Sequence, residues 1–179
     1  MSNFDGPGAG RGKWAREGVP KKGWECVNVE DLGEPSQICE MCEAMEIRYV
    51  QYMRNPRYAD TLACGLVCAG HMSEDLIGAA NRDKTLKNNT RKRKTFASRR
   101  GWYINGKGNP QIKDGWYRVT MFKTPNGLWK GVVNNTHIDR SYFTRDLFES
   151  LDDAKRAAFD TMLLAQEHHL QSSMPVNRF

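Results

Sequence analysis

The sequence predicts an α+β protein in which a small metal-nucleated module with a long basic helix precedes a three-stranded antiparallel sheet packed on a C-terminal helix. Three observations carry this. Two pairs of metal-ligand type, Cys39-x2-Cys42 and Cys68-x2-His71, bracket a stretch of alternating, β-rich residues. A dense basic run over 82–100 follows the second pair. Alternating segments between 116 and 148 then give way to an alanine-rich helical period that opens at Leu151.

Residues 1–37 read as a flexible basic tail and lead-in, because residues 1–24 hold six of the sixteen glycines, two prolines and almost no aliphatic side chains. Trp14 and Trp24 are unusual for such a tail; they dock on the folded body or stack on a base. Residues 38–100 form the metal module and basic helix. Glu46–Met53 alternates as a strand, residues 54–58 turn around Pro56, and residues 62–67 return. Ser73, Glu74 and Asp75 place negative charge at a helix start, and Met72, Leu76, Ala79, Ala80 and Leu86 recur at helical spacing. Asn88, Asn89 and Thr90 predict a hinge or helix end.

Residues 101–115, rich in Gly, Asn and Pro, read as linker. Residues 116–171 are the three-strand-plus-helix domain: strands at 116–122, 128–133 and 141–148, with Pro125-Asn126-Gly127 as a hairpin turn. Ser150 to Asp153 resembles a capping box, and the helix runs from 151 to about 170 with Ala154, Ala157, Ala158, Met162 and Ala165 as its packing face. Residues 172–179 are a tail, fraying from Val176.

Composition bounds the function. At 179 residues, 39% hydrophobic and 27% charged, the chain has room for one domain or two small ones. A mean hydropathy of −0.70 makes the core modest or divided. No apolar run approaches the roughly 20 residues of a membrane span. The first thirty residues lack an apolar leader segment, so the predicted location is the cytoplasm. Thiols stay reduced there, and five cysteines call for an explanation other than disulfides.

Metal binding is that explanation. Zinc takes four soft or borderline ligands in a tetrahedron, and C-x2-C lets two thiolates meet one ion across a tight turn. The predicted ligands are Cys39, Cys42, Cys68 and His71. Cys64 is a rival ligand; its alternation with Leu62 and Leu66 reads as a core position. Cys26 lies outside the pattern as a free thiol. Four protein ligands would leave no open position, so the zinc is expected to be structural. A knuckle, a hairpin, then a helix carrying the second pair resembles the treble-clef group of zinc fingers over residues 38–100. That likeness is architectural, and treble clefs serve many unrelated roles.

Net charge is +6. It is unevenly spread: residues 38–81 carry three basic and six acidic side chains, 101–179 ten and eight, but 82–100 nine and one. Arg82, Lys84, Lys87, Arg91, Lys92, Arg93, Lys94, Arg99 and Arg100 crowd that segment, a density suited to a phosphate backbone through counterion release. The predicted partner is nucleic acid, duplex DNA ahead of RNA.

The segments Tyr117–Phe122, Leu128–Val133 and Phe148–Asp160, with a tryptophan in the second strand and a helix reading acidic-x-Ala-x-x-Ala-x-Phe-Asp, resemble three-stranded-sheet-plus-helix domains of the AP2 and integrase-arm kind. That resemblance implies a sheet laid against DNA, with Arg118, Lys123, Lys130, Arg140 and Arg145 as contact candidates. The alternative is a protein–protein adaptor or inhibitor acting on an acidic or nucleic-acid-processing partner. A third reading is a treble-clef nuclease, but His137 has no evident carboxylate partner, His168 and His169 lie late in a helix, and no catalytic motif is present. The sequence predicts a binding protein, with no membrane and no small-molecule substrate.

Overall fold

The computed structural model describes the backbone of residues 10–173 and the side chains of residues 10–169. The expected fraying at Val176–Phe179 lies outside the described residues. The protein is α+β, with helices and antiparallel sheets, and it divides between Thr90 and Arg91 into two compact units. Each has its own core. No helix among the described residues is long and apolar enough to cross a membrane.

The first unit begins with a short helix, α1 (Gly12–Ala15), and strand β1 (Glu25–Asp31). Two short strands, β2 (Gln37–Ile38) and β3 (Glu46–Ile47), pair across the cysteine knuckle. Strands β4 (Tyr49–Asn55) and β5 (Tyr58–Cys64) form the expected hairpin. Asn55 Oδ1 accepts the Arg57 N–H at 2.9 Å and turns the chain at Pro56. The sheet order is β1-β4-β5.

Of the flexible tail and lead-in expected over 1–37, residues 1–9 lie outside the described residues, and residues 10–37 belong to the folded unit. Trp14, Val19 and Trp24 are buried in the core of this unit, and β1 pairs with β4. The glycines that suggested flexibility shape tight bends. Gly12 has φ +54°, and a Cβ there would lie 2.7 Å from the Cys42 carbonyl.

Helix α2 (Leu66–Ser73) starts directly after β5, with Gly65 at its N-cap. It ends at Glu74, which adopts the left-handed conformation. Asp75 Oδ1 then accepts the Gly78 N–H at 2.8 Å and caps α3 (Leu76–Phe96). The helix start expected at Ser73–Asp75 is thus the second of two. The helix does not end at Asn88–Thr90 but runs to Phe96; Thr90 Oγ1 donates to the Leu86 carbonyl at 3.0 Å, and its hydroxyl also reaches Asp31.

The second unit holds β6 (Tyr103–Ile104), β7 (Pro110–Asp114), β8 (Tyr117–Lys123), β9 (Trp129–Asn135), β10 (Arg140–Phe143) and α4 (Leu151–Ser173). Its sheet has five strands in the order β10-β9-β8-β7-β6, not three. The expected linker over 101–115 contributes β6 and β7. Its Gly and Asn residues make the turn between them, where Asn105 Oδ1 accepts the Lys107 and Asn109 N–H groups, each at 3.0 Å. Ile112 of β7 is buried.

Tyr117, Val119, Met121 and Val133 alternate inward and meet Ala154, Ala158, Phe159, Met162 and Ala165 of α4. Gly131 permits a close approach, since a Cβ there would lie 3.1 Å from the Ala158 Cβ. Gly127, at φ +79°, makes the β8–β9 turn as expected. Lys155 is almost fully buried, with Nζ donating to the Ala97 carbonyl at 3.0 Å and lying 4.6 Å from the centre of the Trp102 ring.

Candidate metal centre and basic surfaces

Cys39 and Cys42 lie on the knuckle between β2 and β3. The knuckle closes by Cys39 N–H to the Met45 carbonyl and Glu43 N–H to the Cys39 carbonyl, both 2.8 Å. It is stitched to β5: Glu40 N–H donates to the Ala63 carbonyl at 2.9 Å, and the Glu40 carboxylate accepts the Ala63 N–H at 2.6 Å. Cys68 sits in the first turn of α2. The sulfurs of Cys39, Cys42 and Cys68 all lie within 4.8 Å of one another, and these three buried residues could hold a metal ion. None of the five cysteines is in a disulfide.

Cys64, the last residue of β5, is fully buried in the core and its thiol donates to Met72 Sδ at 3.6 Å. Hydrogen bonds from Cys64 and then Cys68 hold the Cys39 thiol far below the ordinary thiol range. The same contacts with Cys39, followed by burial, push Cys64 and Cys68 up. Thiols crowded into one site in this way oppose one another's ionisation and titrate as a group. Trp14 donates its indole N–H to Cys68 Sγ at 3.4 Å and favours a thiolate there.

The expected ligand His71 is not part of this group. It is half-buried and lines an open cavity with Lys22, Glu74 and Leu76. The physical reason is where the helix begins. Because α2 starts at Leu66 instead of near Ser73, Cys64 and Cys68 flank the strand–helix junction, and His71 falls in the last turn. Gly65 makes the junction possible, as a Cβ there would lie 2.8 Å from the Ile47 Cγ2. No serine, threonine or aspartate marks this helix start, and its N-cap makes no side-chain bond.

The basic residues sort by partner. In the first unit, Arg82 is held: Nε donates to Gln51 Oε1 at 2.9 Å, and a guanidinium nitrogen lies 3.8 Å from Asp75. Lys87 pairs with Asp83 at 2.6 Å, and Lys84 is exposed without an ion pair to any described residue. In the second unit, Arg93 forms a two-pronged pair with Asp160 at 2.8 Å, and Arg99 pairs with Asp114 at 2.5 Å. Arg91, Lys92, Lys94 and Arg100 are exposed and have no such pair among the described residues.

Arg118 and Lys130 lie on the face of the five-stranded sheet opposite α4, because they alternate with the buried positions of β8 and β9. Lys113 of β7, which sequence reasoning passed over as linker, is directly opposite Arg118. Lys123 lies over the Trp129 ring at 5.2 Å, and Arg140 and Arg145 are exposed. His137 packs against the exposed Trp116 with ring centres 4.9 Å apart.

Comparison with protein-family models, with curated proteins and with solved structures finds no match.

Proposed function

We propose that the chain is a zinc-anchored, non-enzymatic nucleic-acid-binding protein that grips phosphate backbone, that of duplex DNA first, through the exposed cations of α3 and the residues just after it. The observation that carries this is the local excess of positive charge. Of the nine basic residues over 82–100, Lys84, Arg91, Lys92, Lys94 and Arg100 have no ion pair to a described residue. Cations left without carboxylate partners release counterions from a polyanion and make binding strongly salt-dependent. Arg82, Lys87, Arg93 and Arg99 have carboxylate or amide partners and take structural roles in this reading.

The donor chemistry fits zinc. Three thiols already gathered, with Cys64 as the fourth, offer an all-sulfur set of the kind that closes a structural site. A divalent cation would relieve the crowding by deprotonating the remaining thiols. Knuckle, hairpin and helix in this order support a treble-clef assignment, with Cys64 taking the place first given to His71. The metal's part is to fix the first unit's fold.

The test is fluorescence anisotropy with labelled duplex DNA across a salt series. Replacing Arg91, Lys92 and Lys94 by Gln should weaken binding and lower the log–log salt slope by about 2.7, at about 0.9 per lost phosphate contact. An unchanged affinity and slope would sink the reading.

A further inference from the structure

We propose that the open face of the five-stranded sheet is a binding platform for single-stranded nucleic acid. The proposal rests on the nucleic-acid reading above and assigns the sheet a different substrate form from the helix.

The face is defined by register. Tyr103, Gln111, Thr120, Val132 and Phe143 stand directly opposite one another on β6, β7, β8, β9 and β10. This row ends in an aromatic ring at each edge strand, Tyr103 being 50% and Phe143 57% exposed. Four interstrand steps separate the two rings, about 19 Å at the usual strand spacing. The next row runs Lys113, Arg118, Asn134, Ser141, and on the other side Phe122 faces Lys130. The three rows contain three cations and no acidic side chain. α4 occupies the opposite face, where Val119, Met121 and Val133 point.

Large exposed aromatics are costly on a sheet that only needs to be soluble, and cations alone would serve a duplex backbone. The combination fits a strand whose bases are unpaired. Each base then offers a π-face to a ring while its phosphates meet nearby lysine and arginine. A duplex buries those π-faces in its own stack.

The polar groups between the rings are set in advance. Gln111 Nε2 donates to Tyr103 Oη at 2.5 Å, and Gln111 Oε1 accepts from Thr120 Oγ1 at 3.2 Å. Asn134 Nδ2 donates to Ser141 Oγ at 2.6 Å. This ladder orients the Tyr103 ring before any ligand arrives, which lowers the entropic cost of binding.

The experiment uses the full chain and two labelled probes of equal length, an oligodeoxythymidine and a mixed-sequence duplex. Tyr103→Ala and Phe143→Ala should each weaken oligodeoxythymidine binding by roughly tenfold, within the range for a base–aromatic stack. Tyr103→Phe, which keeps the stacking face and loses only the Gln111 bond, should weaken it less than Tyr103→Ala, and Phe143→Tyr should retain it. Because both rings are half-exposed, melting should not move. Lys113→Gln with Arg118→Gln should reduce the single-strand salt slope by about 1.4, at about 0.7 per contact. Duplex binding should be unaffected by the aromatic variants.

Single-strand binding indifferent to both rings would overturn the proposal while leaving the helix reading intact. So would a concentration-dependent dimer abolished by Phe143→Ser, which would assign the face to a second copy. Loss of binding to both probes in the Arg91, Lys92 and Lys94 variant, with no effect of the sheet variants, would also overturn it and credit the helix alone.

Discussion

Trp14 and Cys68, 54 positions apart, are joined by an indole N–H that donates to the cysteine sulfur at 3.4 Å inside the first unit's core. A donor aimed at sulfur is worth most when the sulfur is a thiolate, so this bond couples the N-terminal segment to the charge state of the cluster. Trp14→Phe removes the donor together with part of the buried indole, a packing loss that is the same in both metal states. Beyond that shared loss it should cost about 1 kcal/mol with metal bound and less without it. Paired thermal melts of the metal-loaded and chelated protein would show the difference, and equal losses in both would count against the coupling.

On the zinc reading proposed above, zinc content separates the two candidate fourth ligands. Cys64→Ser should lower bound zinc below one per chain and loosen the first unit, as should Cys39→Ser. His71→Ala should retain one zinc and melt close to the parent, because its side chain faces an open cavity. Elemental analysis with melting curves checks both. Full zinc retention by Cys64→Ser with loss in His71→Ala would restore the histidine as ligand.

Asp31 should impose an acid limit on the first unit. Arg48, through bonds of 2.7 and 3.0 Å, is the main cause that lowers its carboxyl to about 2, with Thr90 and the Gly33 N–H assisting. A depressed carboxylate stabilises the fold above its unfolded value, near 3.9. That contribution is lost as pH falls from there through about 2. A shift of this size corresponds to about 2–3 kcal/mol at most, reduced by partial exposure. Asp31→Asn should lower stability at neutral pH and flatten the acid limb of a denaturant-midpoint series. An acid limb of unchanged steepness would show that another group is responsible.

Gly131→Ala should destabilise the second unit by about 1–3 kcal/mol, because the added methyl meets Thr144, Ala158 and Met121 in a packed core. Ala158→Gly in the same chain should recover part of that loss by making room. Urea denaturation of the single and double variants gives the coupling, and strict additivity would mean the contact is not the cause.

The three cysteines that gather were legible because C-x2-C spacing and a later Cys encode their own geometry. Cys64, read as a core position from its alternation with Leu62 and Leu66, is buried in the core. The start of α2 was not legible, because the chain turns helical at Leu66 behind a glycine N-cap that leaves no polar signature. The N-terminal segment was hidden by its own composition: glycines that permit positive φ at 12, 18 and 23 look the same in sequence as glycines that confer flexibility. Strand β7 was masked likewise, lying between turn-forming residues with only Ile112 as a clear apolar signal. Alternation in β8 and β9 and the alanine spacing of α4 were readable, because a sheet covered on one face must repeat every two residues.

That two-residue repeat separates two kinds of heritable change. Substitutions at 117, 119, 121, 131 and 133 act on whether the sheet holds its helix. Those at 118, 120, 130, 132 and 134 act on what the opposite face can touch. A lineage could rewrite the second set, charge by charge, while the first stays fixed, so the scaffold can persist as its ligand changes.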